Sequence, residues 1–132
     1  MIVRIRDCQD QTSSVNGLAV TSEKQLFQVL DNPRNRKPFF AELVGDNGCT
    51  LLIGIGGAIG CAQFSRSDGE PPYLMAVAPK QFSEHEYVEF LAGNTPTPVL
   101  SRYILPFDKV KDLASEFRRS GMCSTDVSWE EI

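Results

Sequence analysis

Apolar residues recur along this chain with two different periods, and the change between them divides it. From Phe39 to about Leu105 the apolar positions alternate with polar ones or cluster in short bursts, which is the signature of β structure. "FFAELV" and "CTLLIGI" are separated by "GDNG", a hairpin signal. "IGCAQFSR" comes next, then the turn "SDGEPP", then "YLMAV", "EYVEFL" and "PVLSRYIL", joined by loops rich in Pro, Gly, Asn and Asp. Sequential strands with short connections predict an antiparallel, meander-like sheet of about six strands. Residues 2–6 alternate in part and suggest a short first strand, followed by a polar loop through Asn16.

On either side of this block the period lengthens. Ser22 and Gln25 form an S-x-x-Q capping box, and Leu26, Val29 and Leu30 repeat at helical spacing until Asn32-Pro33 stops the chain. The basic loop Arg34, Arg36 and Lys37 leads out and reads as an ordinary soluble turn. A second helix is clearer still. Pro106 suits its first turn, and Val110, Leu113, Ala114 and Phe117 fall on one face, with Lys109, Lys111, Asp112, Glu116, Arg118 and Arg119 opposite. Gly121 fits the left-handed residue that ends such a helix. "STDVSWEEI" then extends as a last strand or an ordered tail. The expected architecture is α+β: a single domain over residues 1–132, with one antiparallel sheet and two helices packed on one of its faces.

The glycine cluster in "LLIGIGGAIGCAQF" tests this outline. A dinucleotide fingerprint needs G-x-G-x-x-G opening a helix, but Ile59 stands at the third glycine position and the residues after it are β-prone. No Lys-Ser or Lys-Thr follows, which excludes a Walker-type phosphate loop. The glycines are expected to turn one strand into the next.

Composition changes the picture little. With 42% apolar and 23% charged residues the 132-residue chain is an ordinary globular domain. No window approaches the roughly 18 uninterrupted apolar residues of a membrane span. "MIVRIRDCQD" is charged from Arg4 and lacks a signal-peptide pattern, so a cytoplasmic location is expected. Cys8, Cys49, Cys61 and Cys123 are widely spaced without a C-x-x-C pair and read as separate small hydrophobes. His85 is the only histidine, in the polar stretch "FSEHEYVEF", where a solvated side chain is expected. Neither a zinc site nor a nucleophile-histidine arrangement is announced, and no enzyme activity and no cofactor are expected.

The motifs in order resemble a known family. The run from Leu51 through Gly57, the strand "YLMAV", the strand "EYVEFLAG" and the segment "LPFDKVKDLASEFRRSGMCSTDVSWEEI" are similar to the first immunity-protein family of bacterial polymorphic toxin and contact-dependent inhibition systems. In that family a proline-led helix ends in a Thr-Gly or Ser-Gly step, here Ser120-Gly121. An extended segment follows with a hydrophobic residue two before a tryptophan and then acids, here Val127, Trp129 and Glu130. The resemblance covers roughly residues 40 to 132. The chain departs from it at Tyr73, where members often carry tryptophan, and at Met122 and Cys123, where a proline commonly follows. The resemblance implies a stoichiometric, non-catalytic inhibitor of a cognate toxin domain such as a nucleic-acid deaminase or nuclease. Net charge −4 suits a basic partner, and argues against direct nucleic-acid binding by this chain.

Three acidic stretches are candidate contacts with such a partner. Asp68 and Glu70 lead to Tyr73, an acidic turn beside an aromatic anchor, or simply a solvated hairpin loop. Glu84 and Glu86 share one strand face while Tyr87 and Glu89 share the other. In the tail stand Asp126, Glu130 and Glu131 around Trp129, itself either a plug packed on the second helix or an exposed anchor. Two other classes stay open: a small-molecule-binding or enzymatic domain wrapped round a pocket, and an adaptor subunit with an exposed apolar patch.

Overall fold

The computed structural model describes residues 1–80 and 85–132. Alternation builds its first strand, β1 (Val3–Asp7), in which Val3, Ile5 and Asp7 are buried while Arg4 and Arg6 are exposed. The same rule carries β3 (Phe39–Gly45), β4 (Cys49–Gly56), β5 (Ile59–Arg66) and β6 (Leu74–Val77), which pair antiparallel in sequence order as the expected meander. β1 adds to the free edge of β3 and carries β2 (Ala19–Val20) beyond it; β10 (Ser128–Glu131) closes the other edge against β6. The spatial order is β10-β6-β5-β4-β3-β1-β2.

The sheet holds ten strands among the described residues, not about six. Part of the difference is small: β2 lies just beyond the segment expected to be loop, and "STDVSWEEI" contributes a true edge strand. The larger difference is at β7 (Tyr87–Ala92) and β8 (Thr95–Leu100). They pair with each other as a hairpin, and among the described residues their one ladder bridge to the rest of the sheet is parallel, Phe39 to Leu91. The meander therefore stops at β6. The segment 98–105, expected as one strand, is broken after Leu100 by a 3-10 turn over Ser101–Tyr103, closed by the Ile104 N–H on the Ser101 carbonyl at 3.1 Å. Leu105 and Pro106 then form β9, a short bridge to β5.

Both helices cover the same face of the sheet. α1 (Glu23–Asp31) starts where the Gln25 N–H donates to Ser22 Oγ at 3.1 Å, and the Gln25 side-chain oxygen accepts from the Thr21 N–H at 2.8 Å, one residue upstream of the cap. α2 (Phe107–Ser120) ends at Gly121, which sits at φ +71° and donates its N–H to the Phe117 carbonyl at 2.7 Å. Leu26 and Leu30 of α1, and Val110, Leu113, Ala114 and Phe117 of α2, bury against Leu43, Leu51, Ile53 and Ile55. Each Val, Leu, Ile or Phe side chain among them that is taken out of water contributes about 1.5–3 kcal/mol. Lys111 of α2 reaches Asp31 of α1 at 3.2 Å and lies over the Phe27 ring, tying the helices together.

The opposite face has its own smaller core: Phe40, Cys61, Met75, Phe90, Val99 and Ile104. The β7–β8 hairpin supplies Phe90 and Val99 to it, with Phe90 against Phe40 at 5.4 Å between ring centroids. Here the glycine cluster finds its use. Gly57, at φ +73°, makes the β4–β5 turn as expected, but Gly54 and Gly60 lie inside strands. A Cβ on Gly54 would stand 2.7 Å from the Phe90 ring and 2.6 Å from Cys61 Sγ; one on Gly60 would stand 3.0 Å from Val110. The cluster thus lets the hairpin approach one face and α2 the other.

The basic loop is more than a soluble turn. Arg36 donates to the carboxylate of Asp7 at 2.8 Å and stacks over Phe39, and Asp7 also accepts the N–H groups of Gln9 and Asp10. Arg34 donates to the Gly57 carbonyl at 2.8 Å and lies over Phe107. Only Lys37 fits the solvated reading.

Candidate partner-binding surface

The hairpin covers part of the sheet's second face and leaves the rest open as a groove of about 620 Å³. Its floor is Phe40, Leu52, Cys61 and Met75, contributed by β3, β4, β5 and β6, with the polar side chains of Gln63 and Thr97 beside them. These are the residues of opposite parity to Ile53, Ala62 and Ala76, so strand alternation alone aims them away from the helices. One wall is β8, through Pro98, Val99 and Leu100; Tyr103 and Ile132 line the remaining edge. Leu100 is 52% exposed and Ile132 58%, so apolar surface continues out of the groove onto its rim. The outer face of the hairpin extends it further: Tyr87, Glu89, Pro98 and Leu100 border a shallow hollow, and Tyr87 is 48% exposed.

The polar groups at the groove's edge are tied to one another. Arg102 pairs with Glu130, and the Tyr103 hydroxyl donates to the same carboxylate at 3.2 Å. Desolvation, and then this neighbouring carboxylate, raise the Tyr103 hydroxyl above its ordinary range. On the floor, burial pushes the Cys61 thiol up to about 12, and burial likewise pushes Cys8 up to about 11. Both thiols are held protonated and behave as hydrophobes rather than nucleophiles. Among the described residues no group of three or more His, Cys, Asp or Glu side chains could hold a metal ion, and no helix is long and apolar enough to cross a membrane.

The three acidic stretches go to different places. Glu86, Tyr87 and Glu89 are all exposed at the hairpin, with Tyr87 and Glu89 together on its outer face; Glu84 lies outside the described residues. Glu130 reaches the far end of the same groove, while Glu131 is exposed on the edge strand. Asp68 is engaged locally: the Glu70 N–H at 2.9 Å and the Arg66 guanidinium hold its carboxyl below the usual range. The Tyr73 hydroxyl donates to the Gly69 carbonyl across the same turn, leaving Glu70 exposed. Asp126 lies exposed by Lys109 on the α2 side. Trp129 packs against the main core, its indole N–H on the Ser124 carbonyl at 2.7 Å. Among the described residues, none of those predicted lines the groove itself: Tyr87 and Glu89 border the hollow beside it, Glu130 meets its margin through Tyr103, and the acidic turn, Asp126 and Trp129 lie away from it. Leu52, Met75, Pro98, Leu100 and Ile132 were not singled out from sequence. The available signal was the run "LLIGI", apolar at both parities, which requires cover on both faces of β4.

A family model described as "Immunity protein Imm1" matches residues 3–131. Comparison with the curated proteins finds no match.

Proposed function

The chain belongs to the Imm1 immunity protein family, and from that premise we propose that it neutralises a cognate secreted toxin domain by binding it stoichiometrically and covering its active site. The observation that carries this reading is the span of the family match, residues 3–131, which takes in the whole fold rather than one motif. The protein acts as an inhibitor, not a catalyst, in the cytoplasm of the cell it protects. Its toxin works on nucleic acid as a deaminase or nuclease. Such a toxin carries a basic surface for its substrate, and an inhibitor of net charge −4 and pI near 5.0 is attracted to that surface.

The test is co-expression with the C-terminal domain of the protein encoded immediately upstream. The expected outcome is a one-to-one complex of about nanomolar affinity or better, with growth rescued. An upstream domain that neither binds nor arrests growth would sink the reading.

A further inference from the structure

We propose that the groove on the second sheet face, together with the outer face of the β7–β8 hairpin, is the surface that seats the toxin domain; this rests on the immunity reading above. The occupant is a folded protein surface that inserts one projecting apolar or aromatic side chain between Leu52, Met75 and Leu100. Lysines and arginines around that side chain face Glu89, and the exposed Glu86 adds its charge from the hairpin's other face.

Three observations converge on this occupant. The first is exposure. Leu100 and Ile132 line the groove and Tyr87 the hollow beside it, each about half exposed or more, and the groove's floor is already apolar. Binding hot spots form where an apolar or aromatic anchor fills a pocket that its surroundings then seal from water. The second is charge. Residues 81–101 contain Glu84, Glu86 and Glu89 and neither lysine nor arginine, in a chain with 13 basic residues. Glu89 stands on the outer face opposite Pro98, next to the Tyr87–Leu100 pair, in no ion pair among the described residues. A basic partner gains there without first breaking an internal pair. The acidic turn differs, since Asp68 already holds Arg66.

The third observation fixes how the partner engages. The Ser101 N–H donates to the Glu86 carbonyl at 2.9 Å, so by antiparallel alternation the backbone of residues 97 and 99 faces β7 and that of residues 96, 98 and 100 faces outward. Two of those outward positions are Pro96 and Pro98, which have no N–H to offer. An added strand finds no ladder on this edge, and the partner must dock through side chains.

The experiment measures affinity of the full-length chain for the cognate toxin domain. Leu100→Asp and Tyr87→Ala are each expected to weaken binding at least about thirtyfold with an unchanged melting temperature, because both side chains are exposed. The double variant Asp68→Lys/Glu70→Lys should stay within about threefold of the parent. Tyr87→Ala and Leu100→Asp variants that bind like the parent, in a system where the parent neutralises the toxin, overturn the site while the immunity reading stands. A parent chain that binds no toxin overturns both. Light scattering of the free chain should give a monomer. A dimer dissociated by Leu100→Asp, or an apolar small molecule retained in the groove by native mass spectrometry, would assign the face to another occupant and overturn the proposal. If Leu100→Asp lowers the melting temperature, Tyr87→Ala and Ile132→Asp decide.

Discussion

Gly54 lies inside β4 rather than in the turn after it, and the space left by its missing side chain is taken from across the sheet by Phe90 and Cys61. A single methyl group there meets a packed ring at 2.7 Å and a thiol at 2.6 Å. Gly54→Ala is therefore expected to destabilise the protein by about 1–3 kcal/mol through overpacking, read by urea unfolding. A loss under about half a kcal/mol would show that the ring shifts freely. Cys61 supports a second prediction at this scale. Its thiol ionises near pH 9.0 in the unfolded chain and near 12 in the fold, so the folded state favours the protonated form. The stability this contributes is fully present below pH 9.0 and is lost as pH rises toward 12. Unfolding of the parent at pH 7 and 10 should show an alkaline loss that is smaller in Cys61→Ala; equal losses would remove the buried thiol as its cause. Cys61 reads from the sequence as a small hydrophobe and is one in the fold, but the role of Gly54 could not be read locally. Gly54 reads as half of a turn motif because Phe90 is remote in the chain, and Arg36 reads as solvated because its partner Asp7 is 29 residues away.

At the scale of elements, what the sequence announces is what is encoded within one element. α2 shows its apolar stripe, its basic last turn and its terminal glycine in consecutive residues, and all of these take part in the fold. The β3–β6 meander is similarly local, because each turn fixes the register of the two strands it joins. The destination of a hairpin is not local. β7 and β8 have the alternation of sheet strands, yet Phe90 and Val99 bury against the second face instead of extending the meander. The hairpin is held by the Phe90 contact and by two backbone bonds, Leu91 N–H to Pro38 at 2.8 Å and Gly93 N–H to Cys8 at 3.0 Å. Removing the ring should loosen the hairpin before the meander. Phe90→Ala is expected to cost about 3–5 kcal/mol overall. Amide exchange should speed up more in residues 87–100 than in β3–β5, and a uniform increase would mean that the hairpin and the sheet unfold as one unit.

For the whole molecule, the two faces of one sheet are treated differently. Two helices seal one face; a single hairpin half-seals the other and leaves apolar residues at its margin. The charge is uneven in the same direction, since Arg34, Arg36 and Lys111 are engaged in internal contacts while the carboxylates of Glu86 and Glu89 remain on the surface. If this asymmetry guides the toxin, it acts on encounter more than on residence, because exposed charges attract over about a Debye length of 10 Å and are screened beyond it. The parent's association rate should therefore fall steeply between low and physiological salt. Glu86→Lys/Glu89→Lys, which reverses the charge at the hairpin where the partner docks, should slow association about tenfold or more at low salt and flatten the salt dependence. Its dissociation rate should change far less, because exposed rim charges contribute little once the apolar anchor is seated. Stopped-flow traces across a salt series separate the two rates. A double variant with the parent's salt dependence would place the steering field elsewhere on the molecule, and the tail carboxylate Glu131 is then the next to reverse.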